Sequence, residues 1–216
     1  MFPLFDDISK SWFGLITWFL IAINILATLI LFFIPGSLFL IFWENNILVP
    51  GHINTISFLY RAIISMHLHS DYFHLIFNMI FLFAFGLSTE RMLGRTKFLL
   101  LYYFSGLLGS LFYCLSGSTH PIIGASGAIS GLMAAYLVMF PTARFFTMLM
   151  IFWVVRFIYV PAWIYIIYWI IIQMFGLFFI GGSNIAYSSH IGGVAFGLLF
   201  GIYYRIFIMN KMGASQ

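Results

Sequence analysis

The hydrophobic residues of this chain occur in long unbroken runs, not in the alternating patterns of half-buried strands. The runs are roughly 17 to 23 residues long, and about 20 residues are enough for a helix to cross a bilayer. They predict six membrane spans, at residues 12–34, 72–88, 98–116, 124–140, 161–180 and 189–207. The expected fold is an all-α, polytopic membrane bundle that forms a single domain over residues 1–216.

Two segments between the runs need separate interpretation. Residues 37–71 form a long connection that contains many of the polar residues of the chain. Residues 145–160 are apolar but are interrupted by Arg156, and an arginine in the middle of a span costs about 2.5 kcal/mol or more. We therefore place residues 145–160 in the membrane interface rather than in a seventh crossing.

Composition and charge support a membrane protein and argue against nucleic acid as a partner. The chain is 63% hydrophobic and 6% charged, whereas soluble domains are about 25% charged. The basic residues stand at the ends of apolar runs, where they determine topology, and form no stripe that could follow phosphates. If the N-terminus is cytoplasmic, Arg61 is the only basic residue predicted on the outer side of the membrane. The basic residues predicted inside are Lys10, Arg91, Arg95, Lys97, Arg144, Arg156, Arg205 and Lys211.

Three residues useful for hydrolysis lie at one predicted depth. Spans two, four and six run in the same direction, so their first turns lie together near the outer face. These turns contain His74, Ser126 and His190. Polar side chains within spans are costly and are candidates for function. A serine activated by a histidine is a common nucleophile, and the free N–H groups at the start of a helix can stabilise an oxyanion.

Glycines in spans four and six predict that these two helices pack closely. Gly127 and Gly131 follow Ser126 at four-residue spacing. A second set of glycines at four-residue spacing follows His190, at Gly193, Gly197 and Gly201. Small residues at this spacing allow backbones to approach, so the serine and histidine side chains should meet. Gly124 and Gly127 leave the sides of Ser126 open to a peptide carbonyl.

His74 and Asn78 share one face of span two because they are four residues apart. Both side chains can donate hydrogen bonds, so together with the Ser126 backbone N–H they could form an oxyanion hole. Each motif alone also has a simpler interpretation. The Gly-Ala-Ser-Gly string could be a packing surface, His190 a helix cap, and His74 with Asn78 an interhelical hydrogen-bond pair.

Other chemistries are less well supported by the residue pattern. His67, His69, Asp71 and His74 are possible metal ligands, but the helical H-E-x-x-H pattern of zinc hydrolases is missing. We therefore predict no metal and no cofactor. No aspartate lies within a predicted span, which excludes a pair of catalytic aspartates in the membrane. A single cysteine, Cys114, excludes an intrachain disulfide.

Taken together, GASG at residues 124–127, SHIGGVAFG at 189–197 and HLIFN at 74–78 resemble the rhomboid intramembrane serine proteases. The resemblance extends from Tyr60 to about Gly201. It implies that Ser126 is the nucleophile and His190 the general base, with His74, Asn78 and the Ser126 backbone N–H as the oxyanion hole. It also implies that His69 supports the entrance of span two.

The resemblance further implies a role for several positions away from the dyad. Tyr60-Arg61 stands where the family usually has Trp-Arg, and Glu90 matches an acidic residue at the inner end of span two. Residues 161–163 are similar to the start of the family's gate helix. Some members have an aromatic ring one turn after the serine, against the catalytic histidine; this chain has Ser130. The sequence does not name a replacement for that ring.

The expected activity is therefore cleavage of transmembrane protein substrates near the outer membrane face, by a Ser–His dyad without a third acidic member. The alternative is a catalytically inactive relative that binds membrane proteins. A transporter is disfavoured because the polar residues of the spans are confined to one half of the bundle. The expected location is a bacterial inner membrane, with several crossings and lipid as the only other partner.

Overall fold

The computed structural model describes residues 2–8, 13–51, 55–151, 153–179 and 186–209. These residues form a mostly helical protein with one small sheet. The helices are α1 (Leu15–Phe33), α2 (Gly36–Asn46), α3 (Thr55–Ser65), α4 (Tyr72–Leu93), α5 (Arg95–Leu115), α6 (Ser126–Met139), α7 (Ala162–Phe179) and α8 (Tyr187–Tyr204), which continues as a π-helical turn (Arg205–Met209). The strands are β1 (Phe2–Asp6), β2 (Arg144–Ile151) and β3 (Val154–Pro161).

Six of these helices coincide with the six predicted runs, within a few residues at most ends. Trp12, where the first run was predicted to begin, lies outside the described residues, as does Ile180 at the end of the fifth. Four helices of the described part are long and apolar enough to cross a bilayer: Leu15–Phe33, Tyr72–Leu93, Arg95–Leu115 and Tyr187–Ile208. α6 and the apolar part of α7 are shorter, so the count of six crossings stays a prediction.

The core lies between α4, α5, α6 and α8, where α6 and α8 run parallel in backbone contact. α6 has 14 residues and is therefore about 21 Å long, less than the roughly 30 Å of the hydrocarbon layer. A helix of this length cannot reach both membrane surfaces. Its first residue, Ser126, can accordingly lie below the surface.

The segment that precedes α6 is held by the connection between α1 and α4. Leu48 forms an isolated antiparallel bridge with Ile122, and the Gly124 N–H donates to the Ser65 carbonyl over 2.8 Å. Arg61 of α3 donates to the carbonyls of Glu44 and Ile47. The predicted long connection is thus not a loop: α2 and α3 occupy most of it.

The predicted interface segment at 145–160 differs most from expectation, because its described residues 145–151 and 154–160 lie in the antiparallel strands β2 and β3. β1 pairs with the other side of β2, so the sheet order is β1-β2-β3. The base of the sheet is buried: Phe145 packs on Phe85 of α4 and Tyr136 of α6. The far end is exposed, with Trp153 98% accessible. The prediction that this segment lies in the membrane interface remains a prediction, but its β structure was not anticipated.

The end of the bundle near the sheet is tied together by acidic side chains. The Glu90 carboxylate of α4 accepts hydrogen bonds from the Ile16 and Thr17 backbone N–H groups and from the Thr17 hydroxyl, at 2.8–2.9 Å. It thereby caps the N-terminus of α1, whose N-cap residue, Gly14, makes no side-chain cap bond. Gly94, at a φ of 73°, ends α4 and allows α5 to begin at once.

Candidate active site

Ser126 and His190 lie in hydrogen-bond contact at the starts of α6 and α8. The Ser126 Oγ and the His190 Nε2 are 2.7 Å apart, a normal distance for an O–H···N bond. Ser126 is half-buried and His190 is 5% exposed. A neutral imidazole with its proton on Nδ1 can accept the serine proton at Nε2. The structure therefore brings together the two side chains to which the sequence assigned catalysis.

The glycines of α6 and α8 allow the two helices to pack closely, and this packing brings Ser126 and His190 into contact. A Cβ added to Gly193 would overlap the carbonyl of Gly127, and one added to Gly197 would overlap the carbonyl of Gly131. One added to Gly201 would lie 3.1 Å from the Cα of Ala135. The helices can lie this close only without side chains at these positions, and the contact fixes the relative height of Ser126 and His190.

Gly124 brings His74 beside the serine. A Cβ on Gly124 would lie 2.8 Å from the His74 Nε2 and 3.8 Å from the Ser126 Oγ. Both polar groups thus flank the same glycine. Its φ of 120° is a conformation that side-chain-bearing residues rarely adopt. Any other residue here would be strained and would also push the His74 ring away.

Asn78, the other predicted oxyanion donor, is buried one turn further along α4. Its side-chain amide donates to the His74 carbonyl over 2.8 Å. The amide nitrogen carries a second proton that this bond does not use. The placement of Asn78 is compatible with the predicted role, but the structure does not record a contact with Ser126.

Two residues before α4 control the orientation and tautomer of His74. Asp71 is the N-cap of α4 and accepts from the His74 backbone N–H over 2.9 Å. The Ser70 hydroxyl donates to the Asp71 Oδ2 over 2.7 Å, and its oxygen lies 3.2 Å from the His74 Nδ1. Because its single proton is used in the bond to Asp71, the hydroxyl oxygen accepts from a proton on the His74 Nδ1. The His74 Nε2, which lies beside Gly124, then donates to an oxyanion only when the ring is protonated.

His69 supports the His74 ring from behind. The two rings are 5.0 Å apart in an edge-to-face arrangement, and the His69 Nδ1 lies 3.1 Å from the Thr28 hydroxyl of α1. His69 is fully buried. Burial, with a smaller effect of the neighbouring His74 and His67, lowers the pKa of His69 from 6.5 to about 3. The ring is therefore neutral at pH 7 and can pack against His74 without repelling it.

Trp169 of α7 is a site residue that the sequence did not predict. Its ring lies 5.5 Å from the His190 ring, at an interplanar angle of 45°. Its indole N–H donates to the Ser130 hydroxyl over 3.2 Å. Trp169 therefore supplies, from another helix, the aromatic contact that Ser130 cannot. The small residue at position 130 was the only signal in the sequence, and it did not identify the partner.

A small cavity lined by hydroxyl-bearing and apolar residues adjoins the first turn of α6. Its lining includes the hydroxyl-bearing Ser65, Ser110 and Ser189, together with Gly124 and Gly127. Buried hydroxyls of this kind are suitable partners for an ordered water. The cavity lies on the side of α6 that faces α3 and α5.

The metal alternative finds no geometric support in the described part of the chain. No group of three or more histidine, cysteine, aspartate or glutamate side chains is arranged there to hold a metal ion. The histidines that suggested such a site make other contacts. His67 lies 3.2 Å from the Tyr103 hydroxyl, and His69 and His74 pack on each other.

The fold and site thus define a helical membrane bundle with a serine–histidine pair at the starts of two tightly packed helices. Comparison with known proteins agrees with this class. The Rhomboid domain family matches residues 57–207, which is more than half of the chain. The chain belongs to the rhomboid family.

Curated relatives match over a shorter stretch. Putative rhomboid protease YdcA of Bacillus subtilis is 42% identical over 81 residues, which cover 37% of this chain and 41% of the relative. Rhomboid protease AarA of Providencia stuartii is 40% identical over 94 residues, 37% of this chain and 34% of the relative. Inactive RHOMBOID-like protein 8 of Arabidopsis thaliana is 35% identical over 79 residues, 37% of this chain and 22% of the relative. The chain thus aligns with less than half the length of each.

The apolar helices and the family together make this an integral membrane protein. The family contains members named as proteases and a member named as inactive. Membership alone therefore does not decide between catalysis and binding, and the contacts of this chain's own residues carry that distinction.

Proposed function

We propose that this protein is an intramembrane serine endopeptidase that hydrolyses peptide bonds of transmembrane substrates near the outer membrane face. The observation that carries the proposal is the 2.7 Å contact between the Ser126 Oγ and the His190 Nε2 in a chain of the rhomboid family. The proposed unit is one membrane domain with a cytoplasmic N-terminus, in a bacterial inner membrane.

The first half of the reaction transfers the substrate's acyl group to the serine. The Ser126 Oγ attacks the carbonyl carbon while its proton moves to the His190 Nε2. The oxyanion that forms receives hydrogen bonds from the Ser126 backbone N–H, from the Asn78 amide and from the Nε2–H of a protonated His74. His190 then gives the proton to the leaving nitrogen, the C–N bond breaks and an acyl-serine remains.

The second half consumes one water molecule. His190 removes a proton from the water, the oxygen attacks the acyl-serine, and the Ser126 Oγ leaves with the proton that His190 returns. The cavity beside α6, with its serine hydroxyls, is proposed to hold that water. No acidic residue is required in addition to the serine and the histidine, because packing holds the imidazole in place.

The substrate is a membrane-spanning segment that enters from the side, past α7. Residues that disfavour helix let its backbone unwind at Ser126, and the glycines flanking the serine leave space for the backbone. Small side chains are expected at the cleaved position, as in the family. The natural substrate is not specified by these features.

The direct test is cleavage of a model single-span substrate by the purified protein in liposomes. Ser126→Ala should abolish cleavage, and Ser37→Ala, on an exposed position of α2, should not change it. Undiminished cleavage by Ser126→Ala would overturn the proposal.

The second candidate is an inactive membrane-protein binding factor, which the inactive plant relative makes worth testing. A fluorophosphonate probe discriminates between the two functions because it reacts with an activated serine and needs no substrate. Labelling of the wild type but not of Ser126→Ala favours the enzyme. No labelling of a folded protein that still captures membrane proteins favours the binder.

A further inference from the structure

We propose that Trp169 positions the His190 imidazole for catalysis, and that the base is therefore aligned only while α7 is seated against α6 and α8. This inference rests on the proposed function, because it concerns how the dyad is assembled and regulated. It makes Trp169 a positioning residue and Ser130 its anchor.

Trp169 joins α7 to three other helices at the level of the dyad. Its ring lies 5.5 Å from the ring of His190 in α8. Its indole N–H donates to the hydroxyl of Ser130 in α6, and its ring lies 5.8 Å from the ring of Phe81 in α4. Ser130 is buried, so its hydroxyl has few alternative partners. The indole is thus held in place at its edge while its ring faces the imidazole.

The hydrogen bond to Ser126 does not fix the imidazole alone. It restrains one ring nitrogen, and a bond at one atom does not by itself define the plane of the ring. An aromatic ring packed on one side restrains that plane and excludes water from the imidazole. A displacement of about 1 Å in a catalytic group can cost on the order of a hundredfold in rate.

The position of Trp169 connects substrate entry with chemistry. Ser130, one turn after Ser126 on α6, is too small to supply an aromatic contact from the same helix. Trp169 of α7 supplies this contact instead, and the substrate is proposed to pass beside α7. Outward movement of α7 would take the indole away from both His190 and Ser130. The dyad would then be realigned only when α7 returns or when the bound substrate fills the same space.

The test measures the rate at which a small fluorophosphonate labels Ser126 in detergent-solubilised, full-length protein. In this reaction the Ser126 Oγ forms a bond to phosphorus, the P–F bond breaks, fluoride leaves, and the serine proton goes to the His190 Nε2. The probe reports base activation without passage of a transmembrane substrate. Melting temperatures of all variants are measured in parallel.

Trp169→Ala should label tenfold to a hundredfold more slowly than the wild type. Trp169→Phe, which keeps a ring but loses the N–H, should recover most of the rate. Ser130→Ala should likewise label only modestly more slowly than the wild type, because the indole keeps its packing but loses its anchor. Tyr168→Ala changes a neighbouring aromatic residue of the same helix that is exposed, and it should label like the wild type.

Several results would overturn the inference. Wild-type labelling by Trp169→Ala would exclude a positioning role, even if cleavage of a transmembrane substrate changed, because the residue would then act on entry alone. A slow Trp169→Ala variant that Phe does not rescue, with an equally lowered melting temperature, would indicate a purely structural role. A folded wild type that does not label at all would remove the proposed function, and this inference with it.

Discussion

The two ends of the helical bundle are built from different chemistry. At the end that contains Ser126, hydroxyls, imidazoles and glycine backbones from the starts of α4, α6 and α8 lie together, and the Asp71 carboxylate caps α4. At the opposite end, carboxylates link separate elements: Glu90 of α4 caps α1, and Asp6 of β1 accepts from the Tyr136 hydroxyl of α6. On the proposed function, the first end carries out the reaction, whereas the sheet end stabilises the fold. Substitutions at the two ends should therefore separate activity from stability.

The largest expected effect comes from the glycine contact that aligns the dyad. Gly197→Ala should reduce cleavage by about a hundredfold or more, because its Cβ would overlap the Gly131 carbonyl and push α8 away from α6. Gly201→Ala is the matched control on the same helix. Its Cβ meets atoms of Val138 and Ala135 at 3.0–3.1 Å, so it should lose less than about tenfold. Equal losses in a cleavage assay would contradict this interpretation.

The next effect is a loss of stability on acidification, caused by buried histidines near the site. Burial lowers the pKa of His67 from 6.5 to about 4, so below pH 6.5 the unfolded chain binds protons that the folded chain does not. Stability is therefore complete above pH 6.5 and falls as the pH drops towards 4, by about 3 kcal/mol from His67. Denaturant titrations at several pH values measure this slope. His67→Gln should make the slope shallower without abolishing it, because the buried His69 still contributes. His120→Gln, at an exposed position, is the control and should leave it unchanged.

At the sheet end, Glu90→Gln should lower the free energy of unfolding by about 2 kcal/mol, because buried N–H groups of α1 lose a charged acceptor. The rate of fluorophosphonate labelling of the folded fraction should stay unchanged. Glu44→Gln, on an exposed position of α2, serves as the control. Loss of labelling in folded Glu90→Gln would show that the two ends are not separable.

The smallest expected effect is at the Asp6–Tyr136 pair, which ties β1 to α6 over 2.6 Å. Asp6→Asn and Tyr136→Phe should each lower stability by about 1 kcal/mol. The double variant should lose less than the sum of the two, because both substitutions remove the same bond. Strict additivity in thermal unfolding would mean that the bond contributes little.

The sequence predicted well the features that the bilayer imposes locally. The length of a membrane helix is set by the thickness of the hydrocarbon layer, so apolar runs gave the helix positions. The common level of His74, Ser126 and His190 in the bundle followed from counting spans, and the four-residue glycine spacing indicated which helices touch. These inferences need only the local order of residues. The catalytic roles themselves remain proposals.

What could not be predicted depends on contacts between distant segments. Residues 144–161 are apolar on both faces of the hairpin, so their sequence has no alternating period to distinguish strand from helix. The pairing of β1 with β2 joins segments about 140 residues apart. Trp169 is one of six tryptophans, and only the packing of α7 selects it as the partner of His190.

The hydrogen bond from the Gly124 N–H to the Ser65 carbonyl makes the backbone beside Ser126 depend on the connection between α1 and α4. Ser65 also accepts the Leu48 N–H at its hydroxyl, and Leu48 in turn pairs with Ile122. The position of Gly124, between Ser126 and His74, is thus fixed in part by residues far from it along the chain. On the proposed function, exchanging this connection between relatives should change the preference for the cleaved bond.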